Sequence, residues 1–186
     1  MSRQDAAERH RTVSGAFTQK VAGVPAGRWD DPSPVPEWAA RDVVRHLVDW
    51  FPAFLRAGSG VELASGPPVD DDPAGAWRVH ATAVQRLLDD PATDALVLEN
   101  PHVGRLPVAD AVDRFYTADV FMHTWDLARA TGQDETLDAT MCRELYEGML
   151  PLDDMLRASG QYGPRTAVPD DATVQTKLLA FIGRAP

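Results

Sequence analysis

A chain of 186 residues, 44% hydrophobic and 25% charged, is long enough to bury a core, and one domain over residues 1–186 is expected. Its formal net charge of −10 repels phosphate backbones and anionic lipid, which argues against nucleic-acid and membrane partners. No apolar run is long enough to span a bilayer, MSRQDAAERHR lacks the apolar stretch of a signal peptide, and the lone Cys142 excludes an internal disulfide. A cytoplasmic location is therefore expected.

Ala6, His10, Val13, Phe17 and Val21 recur at spacings of three and four, which predicts a first helix from about Gln4 to Val21. Pro25, Gly27, Pro32, Pro34 and Pro36 forbid regular structure after it, because proline lacks a donor and restricts its predecessor. That loop carries Trp29 and Trp38 and is expected to pack over one end of the domain. A second helix is predicted from about Glu37 to Ala57, with Pro36 at its start and Gly58 and Gly60 stopping it. Val43, Leu47, Trp50 and Phe54 form its inward stripe.

Gly66, Pro67, Pro68 and the acidic run Asp70 to Asp72 read as a solvated loop leading into a third helix, Pro73 to Asp89. Ala95 to Leu98 is β-prone, and Asn100, Pro101 and Gly104 are turn residues, so a brief hairpin or irregular excursion is expected there. A fourth helix is predicted from Val108 to Gly132, and a fifth from Leu137 to Ser159, interrupted at Pro151. A last short one covers Asp171 to Ile182. The fold class is therefore all-α: a four-helix bundle with additional short helices and a small hairpin.

The fourth helix carries the chemistry. Asp119, His123 and Asp126 fall on the same face as Val108, Val112, Phe115, Met122 and Leu127. A carboxylate in a bundle core is costly unless paired or bound to a metal. Asp119 and His123 are four apart, so both side chains leave one face a turn apart and can converge on one ion. His46, beside Val43, Leu47 and Trp50, supplies a third ligand from the second helix. Three ligands leave coordination positions open, as a catalytic metal requires.

The alternative is an ordinary hydrogen-bonded pair or cap, since Asp42 and His46 show the same spacing. His10, His80 and His102 read as surface, helix-face and loop residues, with His80 the one that could add a fourth ligand. Cys142 reads as a structural thiol. There is no phosphate-binding glycine loop, no nucleophile elbow and no calcium loop.

Met122-His123-Thr124-Trp125-Asp126-Leu127-Ala128-Arg129-Ala130-Thr131-Gly132, with Trp38-Ala39-Ala40-Arg41-Asp42-Val43-Val44-Arg45-His46-Leu47 upstream, resembles the DinB-like superfamily. Within it, the chain is similar to the branch related to mycothiol-dependent maleylpyruvate isomerase, and Leu178-Leu179-Ala180-Phe181-Ile182-Gly183-Arg184 is similar to the end of its short members. The resemblance implies a four-helix bundle holding a divalent metal, usually zinc or nickel, through His46, Asp119 and His123. Asp119 stands where the isomerase has Glu, a shorter arm with the same charge and donor type. Asp126 is expected behind His123, hydrogen-bonding its imidazole or organising the helix. The full isomerase has a further C-terminal domain contributing to its active site, and a chain ending at Pro186 is not expected to carry one. Arg184 could stand in as an anion contact.

These readings lead to a metal-dependent isomerase or transferase in which the ion activates a low-molecular-weight thiol, mycothiol by resemblance, toward a small electrophilic substrate. Zinc is the first choice of ion; His2Asp also suits nickel, iron or manganese. Two other readings stand beside this one: a metal-dependent enzyme using bound water as base or Lewis acid, and a non-catalytic metal-binding or interaction protein. A homodimer would suit a bundle, though nothing in the sequence specifies it.

Overall fold

The computed structural model describes residues 1–186. Helix α1 (Arg3–Ala22) begins with a capping box in which the Ser2 hydroxyl accepts from the Asp5 N–H and the Asp5 carboxylate accepts from the Ser2 N–H. Helix α2 (Ala40–Ser59) starts later than the predicted Glu37, because the chain is still extended there: Pro32 pairs with Ala39 in an isolated β-bridge, and Glu37 has a φ of 68°. Asp42 accepts from the Ala39 N–H at 2.9 Å, so the carboxylate spaced like Asp119 from a histidine is a helix cap and not a partner of His46. Helix α3 (Pro73–Asp89) has the predicted bounds, with the Asp72 carboxylate capping Gly75.

The excursion before the fourth helix is a two-stranded antiparallel hairpin, β1 (Val97–Asn100) and β2 (Gly104–Pro107), in register Leu98 to Leu106. Leu98 packs so tightly on Gly58 of α2 that a Cβ there would lie 2.8 Å from the leucine side chain.

The predicted fourth helix is α4 (Val108–Ala111), a π-turn (Val112–Thr117) and α5 (Ala118–Thr131) in unbroken succession. The π-turn inserts extra backbone where a regular helix was expected, and it turns Tyr116 and Thr117 fully inward. Helix α6 (Ala139–Met149) breaks at Pro151 into a 3₁₀ turn and then α7 (Asp153–Ala158). Helix α8 (Val174–Phe181) is shorter than predicted, because Thr173, and not Asp171, caps it by accepting from the Thr176 N–H.

Helices α1, α2, α3 and α5 pack on one another around one apolar cluster that includes Phe17, Leu47, Phe51, Trp77, Tyr116 and Leu127. The fold is thus all-α, with extra short helices and a small hairpin. Helix α8 lies against α6 and returns the chain to α5, where the tail reaches the site described next. No helix is long and apolar enough to cross a membrane.

Candidate metal centre

His46 of α2 and Asp119 and His123 of α5 present one ligand atom each, all within 4.8 Å of one another. His46 Nε2 is 3.0 Å from Asp119 Oδ2, and His123 Nε2 is 3.4 Å from Asp119 Oδ1. Donors about 2 Å from one tetrahedral ion stand roughly 3.3 Å apart, so the set has the size of a divalent metal site. His46 is not on the deep stripe of α2: its side chain is 31% exposed and that of Asp119 19%, which puts the triad at the rim of the bundle with an accessible side.

Asp119 and His123 are each held from behind. The Trp50 indole N–H donates to Asp119 Oδ2 at 2.9 Å, fixing the carboxylate rotamer. His123 Nδ1 lies 2.8 Å from Asp126 Oδ2. A carboxylate only accepts, so Nδ1 carries the proton and Nε2 is left to face the triad. Asp126 is fully buried and is in turn gripped by Arg184, whose Nε and Nη2 each donate to it at 2.8 Å. Trp38 covers the outer side, its ring centroid 5.0 Å from that of His46 and 5.7 Å from that of His123.

The charges within this group stabilise one another. Burial alone would raise the Asp119 carboxyl, but His123, His46 and the Trp50 N–H outweigh it and hold the carboxyl below the ordinary range. Burial likewise opposes the charged His123 imidazole, and Asp119 followed by Asp126 overcomes it, so the His123 pKa is raised. Asp126 is lowered against burial by His123 and Arg184. Tyr162 stands near enough that the Asp119 charge adds to burial in pushing its phenol up to about 12. Its hydroxyl therefore remains protonated at neutral pH.

The other singled-out residues lie apart from this cluster. His80 is buried against Trp77 and Tyr116, so it adds no fourth ligand to the triad. His10, expected at the surface, is fully buried, with Nδ1 2.9 Å from the Thr117 hydroxyl. His102 is exposed in the hairpin turn, and Cys142 is buried with its thiol pushed up to about 11 by burial, the state of an inert structural cysteine. Arg184 is committed to Asp126 through two of its nitrogens. Trp38 lies in the loop expected to pack over one end of the domain, and its place beside both imidazoles depends on where that loop returns in space.

A helical bundle with a His2Asp set at its rim, braced by a buried carboxylate, defines a DinB-like protein with a candidate metal-binding triad. The chain belongs to the family described as the mycothiol maleylpyruvate isomerase N-terminal domain, which its residues 10–128 match. That span includes the triad and Asp126 and leaves Arg184 outside. The chain is also similar to two proteins of Mycobacterium tuberculosis, "Uncharacterized protein MT0763" of strain CDC 1551 / Oshkosh and "Uncharacterized protein Rv0738" of strain ATCC 25618 / H37Rv. Each is 28% identical over 178 residues, covering 94% of this chain and 95% of the relative. No solved structure matches it.

Proposed function

We propose that this protein is a metal-dependent enzyme that binds a low-molecular-weight thiol, mycothiol by family, and joins it to a small electrophilic substrate in an isomerisation or a thiol transfer. The observation that carries the reading is the convergence of His46, Asp119 and His123 within 4.8 Å on the accessible rim of the bundle. These three side chains would hold the ion, and zinc is the ion we favour for two imidazoles and a carboxylate. A divalent ion there supplies Lewis acidity, which lowers the pKa of a thiol brought to it.

The chain's own groups do the rest. Asp126 keeps the proton on His123 Nδ1, so that Nε2 serves as a donor. Trp50 holds Asp119 in place, and the ring of Trp38 packs beside both imidazoles and narrows their access to bulk water. The partners in this reading are the thiol and the substrate, and the setting is the cytoplasm.

The test is metal analysis of tag-free protein beside a His46→Ala, His123→Ala double variant, followed by titration of the metal-loaded protein with mycothiol. Near-stoichiometric metal only in the wild type, with saturable thiol binding, is the expected result. A wild type that takes up no metal after incubation with zinc and nickel overturns it. Metal uptake without thiol binding leaves bound water as the reactive group and rejects the thiol reading.

A further inference from the structure

A second polar cluster lies inside the bundle and takes no part in the triad. His10 from α1, His80 from α3 and Tyr116 from the π-turn are all buried. The two imidazoles flank one phenol, with ring centroids 5.6 Å (His10) and 5.4 Å (His80) from that of Tyr116. His10 Nδ1 pairs with Thr117, but His10 Nε2, His80 Nε2 and the Tyr116 hydroxyl have no partner in the protein. Buried polar atoms are nearly always hydrogen-bonded, and three orphans gathered from three segments around one ring point to a shared partner.

We propose that His10, His80 and Tyr116 form a binding site for a small neutral hydrogen-bonding ligand, one ordered water molecule, that ties α1, α3 and the π-turn together. A buried water makes two to four hydrogen bonds to groups otherwise unsatisfied, and this site offers three. Neutrality follows from the surroundings. Burial lowers His10 to about 3 and His80 to about 4, so both imidazoles are uncharged at neutral pH, and it pushes the Tyr116 phenol well up. Two acids stand three residues to either side of Tyr116: Asp119, whose charge adds to the rise of the phenol, is taken up by His46, His123 and Trp50, and Asp113 faces Arg9 at 3.6 Å. A cation here would have only neutral donors in the cluster and no uncommitted carboxylate to offset its desolvation.

The site supports the metal centre without being part of it. The Tyr116 ring stacks on Phe51 at 4.2 Å and meets Trp50 at 6.1 Å, and Trp50 holds Asp119. Anchoring the Tyr116 hydroxyl therefore fixes the floor on which the triad stands.

Tyr116→Phe removes only the hydroxyl, and its effect has opposite signs under the two alternatives. With a bridging water, guanidinium unfolding of metal-free protein shows the folding equilibrium constant falling roughly 5- to 30-fold. With an unpartnered hydroxyl, the constant rises or is unchanged, and the proposal is overturned. Metal stoichiometry stays the same in this variant, which separates the outcome from any failure of the thiol-enzyme reading. A high-resolution crystal structure of the wild type provides the second measurement. Density within hydrogen-bond distance of all three orphaned atoms is expected. No density there, or anomalous scattering from a second metal ion, overturns the proposal.

Discussion

Arg184 and Asp126, 58 residues apart, form a two-point ion pair with both contacts at 2.8 Å, and that pair stands directly behind a ligand of the candidate metal centre. The carboxylate is fully buried, so the pair differs from the exposed ion pairs on this surface, whose individual contributions are small. Removing one partner of a buried pair leaves the other charge stranded in a low dielectric. Arg184→Ala should therefore cost about 3–5 kcal/mol in urea unfolding of the metal-free protein. Arg184→Lys should recover only part of this, because an ammonium cannot reproduce the two-point grip. A neutral result for Arg184→Ala would mean that the tail does not hold Asp126 in solution.

Asp126→Asn addresses the other side of the same contact. The amide no longer fixes the His123 proton on Nδ1 by charge, and metal affinity should fall about 10- to 100-fold in a chelator competition. Stoichiometry at saturating metal should remain that of the wild type, since all three ligands are still present.

Trp50→Phe keeps an aromatic ring against Phe51 and Phe54 but deletes the N–H that donates to Asp119. A hydrogen bond to a charged group is worth about 1.5–3 kcal/mol, so the metal-free variant should lose stability on that scale. The loss should shrink when metal is added, because an ion would then hold the same carboxylate.

Stability should fall in mild acid. His10 and His80 titrate at about 3 and about 4 in the folded chain and near 6.5 when unfolded, so between those values the unfolded state binds more protons. Their contribution is complete above pH ~6.5 and is lost as pH falls toward the folded values, by at most about 1.4 kcal/mol per pH unit per histidine. The lowered carboxyls of Asp119 and Asp126 act in a lower window, beneath the ordinary carboxylate pKa of ~3.9. Guanidinium midpoints measured from pH 6 to 4.5, below the window in which the raised His123 gains stability on acidification, should therefore decline in the wild type and stay nearly level in a His10→Leu, His80→Leu variant.

Gly183 links tail geometry to the site. Its φ is +88°, and a Cβ would meet Gly163 Cα at 3.1 Å and the Pro164 carbonyl at 3.2 Å, all backbone that cannot yield cheaply. Gly183→Ala should cost more than 1 kcal/mol and should lower metal affinity as well, because the displaced neighbour is Arg184.

Periodicity located the bundle well because α1, α2 and α3 owe their existence to apolar stripes and caps, both visible locally. It misplaced the start of α2 because the Pro32–Ala39 bridge, a contact seven residues long, outcompetes the proline-first helix signal at Glu37. The π-turn was invisible: its residues, Val112–Thr117, read as ordinary helix. Within the site, His46, Asp119 and His123 were legible from spacing combined with resemblance. Trp38 and the Arg184–Asp126 pair were not, since each depends on where a loop or a tail returns in space. His10 looked like a surface residue, yet it sits at a repeat position of the α1 stripe. Polar identity had been weighed above periodicity there.

The π-turn also sets the phase of everything after it. A residue advances an α-helix by about 100°, and the π-turn absorbs one extra residue within a single wide turn, so closing that turn to regular helix at unchanged length would swing α5 by roughly that angle relative to α4. Asp119 and His123 would then rotate together, their spacing intact, onto a face that His46 cannot reach. Sequences in which this stretch is one residue shorter would keep the same phase as regular helix, whereas sequences of equal length without the π-turn would keep every candidate ligand and lose the centre, so ligand motifs and helix phase have to be compared together.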